Sequence, residues 1–148
     1  MTEKREELLK SELALMYKAQ QKLEYSYEVC RKISEKDKYS YEEEDRFEAL
    51  TSRFARLSDI LIQKIFRLIE SLEMEKEGTV RDRINRAEKW EIIESADDYL
   101  LIRELRNSIA HEYLPEAIYN IYKQVLRFTP ILFKTVTNVD RYCKKFLE

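Results

Sequence analysis

Residues 40–72 have the sequence SYEEEDRFEALTSRFARLSDILIQKIFRLIESL, and this stretch decides the fold class. Its apolar residues recur at steps of three or four, which is the spacing of one face of an α-helix. They are Phe47, Leu50, Phe54, Leu57, Leu61, Ile65, Leu68 and Leu72. Ser40 and Glu43 match a capping box, in which a hydroxyl and a carboxylate satisfy free amides at a helix start. The pattern predicts one long helix that ends near Gly78, the only glycine and a natural C-terminal cap.

A second apolar stripe precedes this helix. It consists of Leu9, Leu13, Met16, Leu23, Tyr27 and Cys30. This spacing predicts a first helix from about Glu3 to Ser34, followed by a short polar link at residues 36–38. The two helices are long enough to lie antiparallel as the frame of a bundle.

The third predicted helix begins at Thr79, a residue type that caps helices. Its expected buried side comprises Ile84, Ala87, Trp90 and either Ile92 or Ile93. The same segment carries four basic residues, Arg81, Arg83, Arg86 and Lys89. A solvated helix surface is the simpler interpretation of these charges, and contact with RNA is the alternative.

The remaining chain predicts two more helices separated at Leu114-Pro115. Ser95 is expected to cap the fourth helix, and Pro115 suits the first turn of the fifth, which Pro130 should kink. We therefore expect an all-α fold: an antiparallel up-and-down bundle of four to five helices with a proline-kinked last helix. Residues 1–148 are expected to form a single domain.

Composition limits the classes of function. The chain has 148 residues, 1 Gly, 2 Pro and a formal net charge of -2. Such a charge gives no global attraction to nucleic acid, so any RNA binding must come from a local basic patch. Cys30 and Cys143 fall in helical patterns, which favours reduced, packed thiols. No signal peptide or membrane-spanning run is predicted, and we expect a cytoplasmic protein without membrane contact.

The segment LRNSIAHEY at residues 105–113 contains the only histidine, His111. Histidine can give and take a proton near neutral pH, and Arg106 carries a planar fork suited to phosphate. Asn107 lies four residues before His111, so its amide can orient the imidazole on a helix. Arg106 and His111 are about 140° apart around an ideal helix. A shared phosphate then requires a distortion near His111 or a second copy of the chain across a twofold axis.

These residue types suffice for cleavage of RNA. The 2′-hydroxyl is an internal nucleophile, a histidine can transfer its proton or protonate the leaving 5′-oxygen, and an arginine can stabilise the phosphorane charge. This chemistry needs no metal, and the sequence offers no metal-ligand spacing. One glycine excludes a glycine-rich phosphate loop and a serine nucleophile elbow. No cofactor is expected.

The pattern R-N-x-x-x-H-x-Y resembles the motif of HEPN toxins of the HepT-like branch, which are paired with minimal nucleotidyltransferase antitoxins. The specific likeness is confined to residues 103–115. The resemblance implies a toxin that is a metal-independent endoribonuclease and dimerises to form a composite cleft. It implies that Arg106 and His111 are the catalytic pair and that Asn107 supports them. It also implies that the cognate nucleotidyltransferase silences the toxin by transferring AMP to Tyr113.

Two alternatives belong to other classes. Some HEPN-like bundles are thought to act as non-catalytic substrate-binding or partner subunits of a nucleotidyltransferase. A plain helical interaction module is the other alternative. Growth arrest on expression would separate a toxin from a binding subunit.

Overall fold

The computed structural model describes residues 2–147 and contains no strand in that range. The helices are α1 (Thr2–Cys30), α2 (Tyr41–Asp59), α3 (Phe66–Leu72), α4 (Val80–Lys89), α5 (Ala96–His111) and α6 (Pro115–Leu147). A π-helical segment, Ile60–Ile65, joins α2 to α3 without a break, so residues 41–72 form one continuous helical rod. The prediction of an all-α chain is confirmed, with five rods in the described range.

The predicted helix starts are confirmed by their caps. The Ser40 hydroxyl accepts a hydrogen bond from the Glu43 amide at 3.2 Å, and the Glu43 carboxylate accepts one from the Ser40 amide at 2.9 Å. Thr79 and Asp82 form the same reciprocal pair at 3.1 and 2.9 Å. The Ser95 hydroxyl caps α5. Each cap satisfies amides that the first helical turn leaves without partners.

The predicted ends of the first two rods are wrong. Helix α1 ends at Cys30 rather than near Ser34, and a bond from the Ile33 amide to the Cys30 carbonyl replaces the helical pattern there. The second rod ends at Leu72 rather than near Gly78. The left-handed residue that follows this rod is Met74, with φ 61°.

Two backbone hydrogen bonds explain the cap at Met74. The Glu75 amide donates to the Glu70 carbonyl at 2.9 Å, and the Met74 amide donates to the Ser71 carbonyl at 3.1 Å. This is the Schellman arrangement, which here satisfies the terminal carbonyls without glycine. The rod therefore closes before the chain reaches its only glycine.

Gly78 belongs to the start of α4 instead. A Cβ at this position would lie 2.6 Å from Oδ2 of Asp82. That oxygen accepts the hydrogen bond from the Thr79 amide in the capping box. The missing side chain thus makes room for the capping carboxylate.

The π-helical segment packs four of its six residues into the core. Ile60, Leu61, Ile62 and Ile65 are all buried, and the segment contacts α1, α2, α3 and α4. The Phe66 amide bonds to the carbonyl of Leu61, five residues back. Such insertions of one extra residue in a helical turn recur at functional sites. The apolar pattern of residues 40–72 did not predict it.

The basic segment of α4 is not a solvated surface throughout. Arg83 is buried, and its Nε donates to the Glu70 carboxylate at 2.9 Å. Arg86 contacts the other oxygen of the same carboxylate. These two arginines join α4 to α3, because a buried charge is stable only when it is paired. Of the four basic residues, only Arg81 and Lys89 are exposed, as the simpler interpretation requires.

Helix α6 packs against α1, α2 and α5. It continues past Pro130 as one helix. The Tyr99 hydroxyl hydrogen bonds to Thr135, and the Asn138 amide group donates to the Ile92 carbonyl at 3.0 Å. These bonds hold α5 and the turn before it against α6. Within residues 2–147, no helix is long and apolar enough to cross a membrane.

Candidate functional site

The motif lies where α5 stops. The last residue of α5 is His111, and α6 starts at Pro115. Proline disfavours helical geometry in the residue before it, so the helix cannot run through Leu114. The predicted separation of two helices at Leu114-Pro115 is confirmed, and the motif lies at the end of α5 and on its exit into α6.

Arg106 lies on α5 and faces the end of α2. Its Nε and Nη2 donate to the two carboxylate oxygens of Asp59 at 2.8 and 2.9 Å. The hydrogen bonds from Arg106 to Asp59 raise the pKa of the guanidinium above its ordinary value, and partial burial opposes this shift. Bidentate pairing fixes the plane of the guanidinium as well as its position. Asp59 is the last residue of α2, directly before the π-helical segment.

A groove of about 440 Å³ contains this pair, and we call it the Arg106 groove. Its lining includes Arg56, Asp59 and Lys64 on one side and Arg106 and Ile109 on the other. Ile109 supplies an apolar wall, while the three basic residues outnumber the single carboxylate. The groove therefore has the charge expected of a site for a phosphate group.

His111 lies outside the lining of the Arg106 groove. It is exposed at the last position of α5, and Asn107 is exposed one turn earlier. Within residues 2–147, no hydrogen bond joins the Asn107 side chain to His111. The structure thus places Arg106 in a groove and His111 at the helix tip. One copy of the chain does not bring the two side chains into one pocket.

Tyr113 and Leu114 form the exposed connection between α5 and α6. Their exposed fractions are 83% and 68%. The Glu112 carboxylate accepts hydrogen bonds from both of their amides, at 3.1 and 3.2 Å. This turn holds the backbone while leaving the Tyr113 side chain in solvent. Because α5 ends at His111, Tyr113 and Arg106 do not share a helical face, as they would on a continuous helix.

Sequence reasoning missed Asp59 and Glu112. Asp59 is separated from Arg106 by 47 residues, and no local pattern marks it among the many carboxylates of the chain. Glu112 carries a weak signal, because a carboxylate at a helix exit can accept amides from the following turn. Within the described range, no group of three or more His, Cys, Asp and Glu side chains could hold a metal ion.

Comparison with protein-family models, with curated proteins and with solved structures yields no match to this chain.

Proposed function

We propose that this protein is a metal-independent endoribonuclease of the HEPN type and the toxin component of a toxin–antitoxin system. Arg106 and His111 act on one RNA phosphodiester. The 2′-oxygen forms a bond to phosphorus and the bond to the 5′-oxygen breaks, which leaves a 2′,3′-cyclic phosphate. His111 moves the proton, and Arg106 stabilises the charge on the phosphorane.

The observation that carries this proposal is the way Asp59 holds Arg106. The carboxylate engages Nε and Nη2. Nη1 makes no hydrogen bond to any residue in the range 2–147, and it belongs to a side chain that is 32% exposed. An arginine fixed on one edge and open on the other is preorganised to bind a phosphate oxygen with little further loss of freedom.

The proposed active form is a homodimer. The position of His111 at the helix tip, outside the Arg106 groove, supports a cleft in which two motifs face each other across a twofold axis. Light scattering tests this assembly. A monomer that retained full activity would contradict it.

The proposal includes the antiparallel up-and-down order of the helices. Arg5 near the start of α1 donates to the Ser71 carbonyl at 3.0 Å. Arg53 in α2 donates to the Ser26 hydroxyl in α1 at 2.8 Å. The first contact joins the beginning of α1 to the end of the second rod, and the second joins the end of α1 to the first half of the rod. Both contacts are expected if α1 and the second rod run in opposite directions.

Control is proposed to act through Tyr113. A cognate minimal nucleotidyltransferase would form a bond from the tyrosine oxygen to the α-phosphorus of ATP, with loss of the phenolic proton and release of pyrophosphate. The exposed fraction of 83% makes the hydroxyl accessible to such an enzyme. The added adenylate carries bulk and negative charge two residues from His111, which opposes entry of an RNA phosphate.

A second function is favoured by one specific observation. In one copy of the chain, His111 lies outside the groove that contains Arg106. A non-catalytic partner subunit of a nucleotidyltransferase needs no convergence of these side chains. It would bind its partner and cut no RNA.

The deciding experiment incubates the purified protein with total RNA in EDTA, beside His111→Ala. Cleavage by the wild type alone, with 2′,3′-cyclic phosphate ends, supports the nuclease. Strict dependence on added magnesium or manganese would contradict the mechanism. No cleavage by either protein under any metal condition, with stable binding to a nucleotidyltransferase, would support the partner subunit.

A further inference from the structure

Five basic residues form a continuous surface beside the Arg106 groove, and we call this surface the basic strip. It consists of Lys18 and Lys22 on α1, Arg53 and Arg56 on α2, and Lys64 in the π-helical segment. Four of them line a small groove of about 100 Å³ between α1 and α2, together with apolar residues and with no carboxylate from residues 2–147. All are exposed except Arg53, which is half-buried.

The strip places five cations on adjoining grooves without compensating carboxylates in the described part of the chain. Within residues 2–147, none of the five forms an ion pair with a carboxylate. Some other cations are paired, as Arg67 is with Glu77 and Lys36 with Glu43, and those without an ion pair in the described range include Arg81 and Lys89 on α4. A protein with a formal net charge of -2 has ample carboxylates to pair them. The absence of paired carboxylates at these five residues leaves a local positive potential that the net charge of the chain does not reveal.

The strip leads directly to Arg106. Arg56 and Ile60 line both the small groove and the Arg106 groove, so the two grooves adjoin along the second rod. Among the residues that the structure describes, Asp59 is the only carboxylate in the lining of either groove, and Arg106 neutralises it. From Arg53 to Lys64 the strip extends about 16 Å along the rod, at about 1.5 Å per residue. It is therefore several times longer than one phosphate group.

Arg53 is also held in place. Its Nη1 donates to the Ser26 hydroxyl at 2.8 Å and to the Lys22 carbonyl at 3.3 Å. Guanidinium has five N–H donors, so this fixation leaves others for a ligand oxygen. A side chain that is already ordered loses less freedom on binding.

We propose that the basic strip binds the sugar–phosphate backbone of single-stranded RNA and leads the strand to Arg106. This inference rests on the proposed nuclease function, and it assigns the RNA path to residues outside the motif. Contacts of this kind position a strand without reading its bases.

A second copy of the chain is a poorer occupant. A twofold axis through the strip would place the strip of one copy against the strip of the other. Five unpaired cations would then face five more, and like charges in apposition oppose association. Lys18, Lys22 and Arg53 are accordingly expected to remain outside the dimer interface, whereas Arg56 and Lys64 border the proposed composite cleft.

The test measures RNA binding in a background that cannot cut. Lys18→Gln, Lys22→Gln and Arg56→Gln are combined in the His111→Ala protein. Fluorescence anisotropy then follows a labelled single-stranded RNA over a range of KCl concentrations. The combined variant should bind more weakly. The slope of the logarithm of the association constant against the logarithm of the KCl concentration should become less negative by about 2, because each phosphate contact to a single strand contributes about 0.7 to its magnitude.

The matched control removes the same charge elsewhere. Arg81→Gln, Lys89→Gln and Lys144→Gln change three exposed residues that form no ion pair within residues 2–147. This control should keep the slope of the His111→Ala parent. Circular dichroism melting of all three proteins should coincide, since every changed residue lies on the surface.

The outcomes separate this inference from the nuclease proposal. An unchanged slope, a slope equal to that of the control, or no RNA binding by the parent would overturn the strip as an RNA path. A change of oligomeric state on light scattering would identify the strip as a contact between copies and overturn it too. If the wild type cleaves RNA in EDTA but the strip substitutions do not change the salt slope, the nuclease proposal stands and the RNA path on the strip is wrong. If the strip substitutions change the slope but the wild type does not cleave RNA, the strip binds RNA and the nuclease proposal is wrong.

Discussion

Arg106 donates to both carboxylate oxygens of Asp59, at 2.8 and 2.9 Å, and so joins the last third of α5 to the final residue of α2. Directly after Asp59 the rod changes from α-helical to π-helical geometry. The pair thus lies at the junction between the α-helical and π-helical parts of the second rod. The orientation of Arg106, the proposed phosphate-binding arginine, therefore depends on how α5 packs against this junction.

Loss of the Asp59 carboxylate should impair cleavage more than stability. The two side chains are 32% and 41% exposed, so Asp59→Ala should lower the free energy of unfolding by about 0–1 kcal/mol. Without Asp59, Arg106 is no longer held in position, and the rate of RNA cleavage should fall by about 10- to 100-fold. Small displacements of a catalytic group lower reaction rates by up to about 100-fold. Arg106→Ala should abolish cleavage. Urea unfolding and a cleavage assay measure the two effects.

Asp45→Asn is the matched control, because Asp45 is an exposed carboxylate of the same helix. It should leave the cleavage rate at the wild-type value. An Asp59→Ala protein that cut RNA at the wild-type rate would show that Arg106 needs no support from this carboxylate.

Tyr113 should be the site of AMP transfer. Co-expression with a cognate nucleotidyltransferase should add one or more units of about 329 Da, the mass that a covalently transferred AMP contributes. Tyr113→Phe should keep much of the nuclease activity, because the phenol is not needed for proton transfer, and should escape silencing. Intact mass spectrometry and a toxicity rescue assay measure both results.

Tyr41→Phe provides the comparison, since Tyr41 is 87% exposed and lies at the start of α2. This protein should still be modified and silenced. If Tyr113→Phe were modified and silenced as well, the switch would lie at another residue.

Removal of Glu70 should be among the most destabilising single changes. Its side chain is 4% exposed, and its loss leaves the charge of Arg83, 6% exposed, without its carboxylate. Breaking one partner of a buried ion pair costs about 3–5 kcal/mol, and we expect Glu70→Ala to fall in that range in urea unfolding. Arg83 also donates to the Ile62 carbonyl, so the π-helical segment should loosen too.

The contrasting variant is Arg31→Ala, which removes an ion pair with Glu28 whose side chains are 52% and 55% exposed. It should cost about 0–1 kcal/mol. Equal losses from Glu70→Ala and Arg31→Ala would contradict the burial of the Glu70 pair.

The capping carboxylate of α2 should make stability depend on acidity. The hydrogen bond from Lys36, followed by that from the Ser40 amide, holds the pKa of Glu43 below its ordinary value of 4.5. A carboxyl whose pKa is lowered by folding stabilises the protein above its unfolded pKa. This contribution disappears as pH falls through the folded pKa.

Glu43→Gln should therefore lower the melting temperature at pH 7, and its difference from the wild type should shrink at pH 3. Glu24→Gln, at an exposed carboxylate of α1, serves as control and should show a smaller effect at pH 7. A Glu43→Gln deficit that stayed the same at both pH values would rule out the charged cap as its source. Thermal melting by circular dichroism gives the comparison.

Features that depend on neighbours within about one helical turn could be predicted from the amino-acid sequence alone. Helix starts at Ser40, Thr79 and Ser95 follow from side chains that satisfy amides two or three residues away. The start of α6 at Pro115 and the break in the helix at Leu114 follow from the fixed geometry of proline. The apolar stripes predicted the core because a helix repeats its face every three or four residues.

Helix ends were harder to predict because several local solutions satisfy the last carbonyls. Gly78 was the expected cap of the second rod, yet the rod ends at Leu72 and Met74 adopts the left-handed conformation. The backbone hydrogen bonds of this cap do not depend on a particular side chain, so residue type alone marks the position poorly.

The contacts between side chains far apart in the chain depend on how the helices pack. Asp59 and Arg106 pair across 47 residues, and Glu70 and Arg83 pair in the interior although both types usually lie in solvent. The basic strip likewise draws its residues from α1, α2 and the π-helical segment. Charged residues carry no periodic signal of their partners, because pairing depends on how whole helices pack. Helical spacing could therefore locate Arg106 and His111 along the chain, whereas packing alone set what each of them faces.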